Sequence, residues 1–156
     1  MRQQTTVGER HSVSSRLSPQ ALRLIHSARV AHLATADKNG QPHVIPICFV
    51  FDGKYFYSPL DEKPKRVAPQ KLKRIKNIAA NPRVSLVIDR YDEDWGKLAY
   101  VLIFGKARAV EGGIRHRRAV ALLRRKYPQY RAMNIDRSPM IVVRPTRTRC
   151  WGAIDG

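Results

Sequence analysis

The chain has 156 residues, with 30 Lys and Arg against 12 Asp and Glu, so its formal net charge is +18. That length suits one domain rather than two, and it can bury a core without disulfide or metal staples. The hydrophobic fraction of 43% is that of a globular chain. No apolar run approaches the roughly 20 residues of a membrane span. Residues 1–16 lack a signal-peptide core and any lipidation motif, so the cytoplasm is the expected location.

Residues 1–16 are polar and read as a flexible arm, leaving 17–156 as a single domain. Ser18-Pro19 opens a helix, Ser as N-cap and Pro at the first helical position, ending near Arg29. Its apolar stripe is Leu22, Ile25 and Leu17 or His26. Residues 30–36 predict strand one, and Asp37-Lys38-Asn39-Gly40 a tight hairpin turn. Residues 43–51 form strand two, Asp52-Gly53 a second turn, and 54–58 strand three. Pro42 and Pro46 cannot donate to a ladder, which puts strand two at an edge or gives it a bulge.

Residues 59–69 are a basic loop. Leu72, Ile75, Ile78 and Ala79 at helical spacing predict a helix over 70–80, stopped by Asn81-Pro82. Strand four covers 84–89 and an acidic loop 91–96. Strand five runs over 98–110, with Gly105 marking a bulge or bend. After Gly112-Gly113 a basic helix spans 114–127 and ends at Pro128. Residues 140–143 and 146–151 form strand six, interrupted at Pro145. The order α-β-β-β-α-β-β-α-β argues for an α+β fold: a six-stranded antiparallel barrel with flanking helices.

The charge excess attracts polyanions, either nucleic acid or a phosphorylated or polycarboxylate small molecule. The cations concentrate at Lys63, Lys65, Arg66, Lys71, Lys73, Arg74 and Lys76, at 115–126, and at Arg144, Arg147 and Arg149. The first cluster lacks the aromatic interleaving of single-strand binding, and no nucleic-acid-binding motif is present. The dinucleotide fingerprint, the P-loop, GxSxG and Cys/His metal spacings are also missing, so no metal site is expected. Cys48 and Cys150 read as two buried thiols. No catalytic acid–base pair can be assigned, since the five histidines do not cluster with carboxylates.

An ordered set of segments resembles the pyridoxamine-phosphate-oxidase-like split-barrel family over residues 17–154. The segments are HLATADKNGQPHVIPICF, a third strand ending in Ser58, RIKNIAANPRVSLVI, FGKARAV with its glycine, and PMIVVRPTRTRCWGA. DEKPKR, KNIAANPRV and DRYDEDW are similar to the deazaflavin branch, the coenzyme F420-dependent oxidoreductases. The resemblance implies an FMN-binding type of split barrel. It also implies a homodimer with cofactor clefts between subunits, in which the cofactor performs hydride chemistry on a small organic substrate and the protein orients it.

Carried onto this chain, the resemblance puts Arg74 where a phosphate-binding cation sits, with Asn77 three residues on, on the same helical face. Lys71, Lys73 and Lys76 complete the cradle. The alternative is a solvated basic helix face. Ser58 is placed to offer a phosphate its hydroxyl, or is simply a strand-end serine. His43, Val44, Ile45 and Pro46 align with the strand whose backbone faces the rings. Trp95 and Trp151 lie against a ring edge or pack in an interface. Lys63, Lys65, Arg66 and Arg147 suit an oligoglutamate tail or substrate, or form solvated surface. Coenzyme F420 is the first expectation and FMN the alternative. FMN ends at one phosphate and leaves the basic loop unused. A non-catalytic flavin-binding role and nucleic-acid binding are more distant, and heme finds no axial-ligand context.

Overall fold

The computed structural model describes residues 16–60 and 71–154. The arm 1–15 and the basic loop residues Lys63, Lys65 and Arg66 lie outside them. Seven strands form one antiparallel sheet in the order β2-β1-β5-β6-β7-β4-β3. The elements are α1 (Pro19–Ser27), β1 (Ala31–Ala36), β2 (Pro42–Ile47), β3 (Val50–Phe51), β4 (Phe56–Pro59), α2 (Lys73–Ala80), β5 (Arg83–Arg90), β6 (Ala99–Val110), α3 (Ile114–Lys126) and β7 (Met140–Gly152).

The seventh strand arises because the expected strand 43–51 is two strands. β2 pairs only with β1 and β3 only with β4, so consecutive pieces of chain form opposite edges of the sheet. Only Cys48 and Phe49 separate them, so the sheet must curl until its edges meet. Phe49 is fully buried and leaves the ladder there. Its N–H donates to the Tyr127 hydroxyl at 3.0 Å, and that hydroxyl faces the Phe49 carbonyl at 3.0 Å and the Arg29 carbonyl at 2.9 Å. A side chain thus supplies the bonds that a neighbouring strand would have given. The edge position of β2 is what Pro42 and Pro46 require.

The first hairpin is wider than a two-residue turn. Only Gly40 has a positive φ, 82°, and Gly40 N–H and Gln41 O bond back to Asp37. Asn39 does not take a positive φ, so the glycine alone relieves the turn.

Pro145 does not interrupt the last strand. Opposite it, β6 shifts register between Phe104 and Gly105, the bulge expected at that glycine. A Cβ on Gly105 would lie 2.7 Å from the Arg144 carbonyl oxygen, so the close passage of β7 excludes any other residue.

Ser18 caps α1 as expected, accepting from Ala21 N–H at 3.0 Å, and its hydroxyl donates to the Ile154 carbonyl at 2.7 Å. The buried stripe is Ala21, Leu24 and Ile25. The second helix starts at Lys73 rather than 70, with Leu72 as a cap that makes no side-chain bond.

Two cores result. Leu33, Phe49, Leu86, Ile103 and Ile141 fill the barrel together with the buried faces of α1 and α2. Tyr57, Leu123, Tyr130, Ile135 and Val142 form a second layer beneath α3, on the outer side of β7, β4 and β3. Neither cysteine forms a disulfide and both are half-buried, a correction to the expectation of fully buried thiols. Among the described residues no helix is long and apolar enough to cross a membrane, and no three metal-ligating side chains come together.

Candidate functional site

Among the described residues, alternation along the strands leaves one sheet face without a covering helix. Outward side chains run across five strands in register: Val44, Ala34, Ser85, Phe104 and Arg147 in one row, and Pro46, His32, Val87, Leu102 and Arg149 in the next. Tyr100 and Trp151 follow, stacked with ring centroids 5.5 Å apart. The outer face is therefore largely apolar on β2, β1, β5 and β6, with His32, Ser85, Arg147 and Arg149 as its polar members, which approaches the pattern of strands covered on both sides. Val44 is 60% exposed and Trp151 48%. Trp95 is also exposed. It sits in a short 3-10 turn capped by Asp94, at the same end of the sheet, where Ala99 pairs with Gly152.

At the other end of this face lies a cavity of about 400 Å³. Ala34, Pro42 and Phe104 give it apolar walls, and Arg83, Lys106 and Thr146 a polar rim. The Arg147 guanidinium lies over the Phe104 ring at 4.3 Å. Thr35, at the inner margin of the cavity, ties it to α2: the Asn77 side-chain amide donates to the Thr35 hydroxyl at 3.0 Å, both groups being buried. Asn77 thus fixes where the basic helix stands, and its burial removes it from direct contact with a ligand on the surface.

The remaining helix cations are arranged around that anchor. Lys71, Lys73 and Lys76 are exposed, and Arg74 is half-buried. The Lys73 ammonium pairs with Asp37 at 3.5 Å. Backbone bonds from Gln41 and Asn39, together with Lys73, hold the Asp37 carboxyl below its usual range, with Gln41 the largest influence. Lys73 is thereby partly neutralised.

On β2, Val44 and Pro46 face outward while His43 and Ile45 are half-buried on the other side. His43 pairs with Thr35, and its buried Nδ1 has no hydrogen-bond partner among the described residues. Ser58 is placed differently from the rest. It shares the core side of β4, between β7 and β3, with Phe56 and Leu60, and is only 5% exposed. An inward strand position therefore holds its hydroxyl away from the surface formed by β2 and α2. Sequence reasoning missed Ala34, Arg83, Phe104 and Lys106. The available signal was the outward apolar set Tyr100, Leu102 and Phe104 in a strand whose inward set was already apolar.

A curled antiparallel sheet closed by helices, with an apolar outer face bordered by a basic helix, defines an α+β split barrel. The family model of pyridoxamine 5'-phosphate oxidase matches residues 17–152, and the chain belongs to that family. No curated protein matches it. Among solved structures it is similar to the conserved hypothetical protein Rv2991 from Mycobacterium tuberculosis, at 23% identity over 83% of this chain and 81% of that one, TM-score 0.67. The heme storage protein HutZ from Vibrio cholerae shares 14% identity over 87% and 94%, TM-score 0.67. A structure described as an F420 reductase shares 23% over 81% and 94%, TM-score 0.60. At these identities the likeness establishes the fold.

Proposed function

We propose that this chain is an oxidoreductase that uses a bound deazaflavin, coenzyme F420, to move hydride to or from a small organic substrate, in a cleft formed by two copies of the chain. The observation that carries this reading is the outer sheet face, largely apolar at Val44, Pro46, Ala34, Val87, Leu102 and Phe104, with Arg147 and Arg149 along its β7 side and the basic helix α2 beside it. A planar ring system with an anionic tail needs a broad apolar wall beside a cluster of cations, and the residues present offer both. Similarity to a structure described as an F420 reductase supports the deazaflavin over FMN, which remains the alternative outcome of the test.

When bound, the deazaflavin supplies the hydride-carrying ring. The chain's own contribution is binding and exclusion. Arg74 and its lysine neighbours attract and orient phosphate, Val44, Pro46 and Phe104 give the apolar wall, and a second copy covering Leu102, Tyr100 and Trp151 keeps water from the cleft. The test is Arg74→Ala. A lost charge-assisted phosphate bond weakens deazaflavin affinity by about 1.5–3 kcal/mol. An unchanged dissociation constant removes Arg74 from the site.

A further inference from the structure

A dense group of positive charge lies beside the apolar face, where β6 and β7 pass toward the start of α3. Arg83, Lys106 and Arg144 are direct cross-strand partners on β5, β6 and β7. Adjacent strands are about 4.8 Å apart, so three cations stand in a row about 10 Å long. Arg108 lies two residues beyond Lys106 on the same face. Like charges placed opposite one another on a sheet repel. None of these four pairs with a carboxylate among the described residues.

Three of them, Lys106, Arg108 and Arg144, converge with Arg115 and Tyr55 on a cavity of about 300 Å³. Arg115 comes from the first turn of α3, and its guanidinium lies 4.1 Å from the Tyr55 ring centroid. No carboxylate lines this cavity among the described residues. Asp52, in the same turn as Tyr55, is occupied by the Lys54 and Tyr55 amides and the Tyr57 hydroxyl. Four cations from two strands and a helix thus surround a concave space with room for about ten water molecules.

We propose that this cavity binds a compact polyanion with two or more linked phosphate groups, an oligophosphate or the phosphate chain of a nucleotide. The site adjoins the cavity beside Phe104, with which it shares Lys106, and its other cations, Arg108, Arg115 and Arg144, do not line that cavity. One phosphate leaves the charge of the four cations only partly compensated, whereas linked phosphates match them in charge and present several oxygens to the arginine forks. A nucleic-acid strand is disfavoured, since the one aromatic ring here is covered by Arg115 and gives no stacking platform.

The test is isothermal titration of the full chain with sodium tripolyphosphate and with orthophosphate at one ionic strength. It is repeated on the Arg108→Gln, Arg144→Gln double variant. Neither residue lines the cavity beside Phe104, so deazaflavin binding should be unchanged in that variant. Removing like charges should also leave the melting temperature of the free protein no lower, which separates lost binding from lost folding. The expected result is one tripolyphosphate per chain, orthophosphate weaker by about tenfold or more, and about a hundredfold loss in the double variant. Equal affinity for both anions, binding insensitive to the substitutions, or oligothymidylate binding with no saturable tripolyphosphate site would overturn the proposal.

Discussion

Replacing Tyr127 by Phe tests how the barrel is closed. The substitution keeps the ring, including its edge contact with Tyr130 at 5.5 Å, and removes only the hydroxyl. That hydroxyl accepts from Phe49 N–H and has one hydrogen to give to the Phe49 or Arg29 carbonyl. Without it, an amide on a fully buried residue loses its partner, at about 1–3 kcal/mol, and the donated bond is worth about 1 kcal/mol more. The expected loss is about 2–4 kcal/mol, a fall in Tm of about 5–12 °C for a chain of this size. Urea unfolding followed by tryptophan fluorescence measures it, and an unchanged m-value shows that the fold is retained. A loss below about 0.5 kcal/mol would mean that the crossing at Cys48–Phe49 does not depend on this clasp.

The same corner predicts a pH optimum for stability. Burial lowers the Lys126 pKa to about 8, with repulsion from Arg29 adding to it, and burial raises the Tyr127 pKa to about 12. Between about pH 8 and 10 the unfolded chain holds a proton on Lys126 that the folded chain has released, so stability rises with pH. Above about pH 10 the folded chain keeps the Tyr127 proton that the unfolded chain loses, so stability falls. Urea midpoints measured from pH 7 to 11 should rise and then fall, and Lys126→Met should abolish the rising limb. Gly152→Ala should cost more than about 3 kcal/mol, since φ is +85° and a Cβ would lie 2.1 Å from the Leu98 carbonyl oxygen. A thermal melt within 2 °C of wild type, which corresponds to less than about 1 kcal/mol, would contradict that. On the outer face, Leu102→Glu should convert a dimer to a folded monomer in sedimentation, and a wild-type monomer would remove the shared cleft.

The sequence was most informative where a local rule decides the outcome. Ser18-Pro19 dictates a capped helix start, Pro42 and Pro46 demand an edge strand, and Gly105 marks the bulge. It was silent where the deciding partner is distant. The split at Cys48–Phe49 depends on Tyr127, 78 residues away. The uninterrupted β7 depends on Gly105 opposite Pro145.

At the site, the basic helix was legible as a charge run, but the commitment of Asn77 to Thr35 and of Lys73 to Asp37 required the fold. Ser58 looks the same in sequence whether it faces the core or a ligand, because a lone hydroxyl fits either. The row Arg83–Lys106–Arg144 exists only through strand register, and the apolar outer face becomes visible only when both alternating sets of β6 are read together.

The most direct test of the central claim is a fluorescence titration of ligand-stripped protein with coenzyme F420 and, separately, with FMN, at two salt concentrations. The account predicts saturation at one deazaflavin per chain with weaker FMN binding, and only a modest loss of affinity at high salt. Binding of neither at one equivalent would contradict it, and preferential binding of FMN would move the chain to flavin chemistry on the same face.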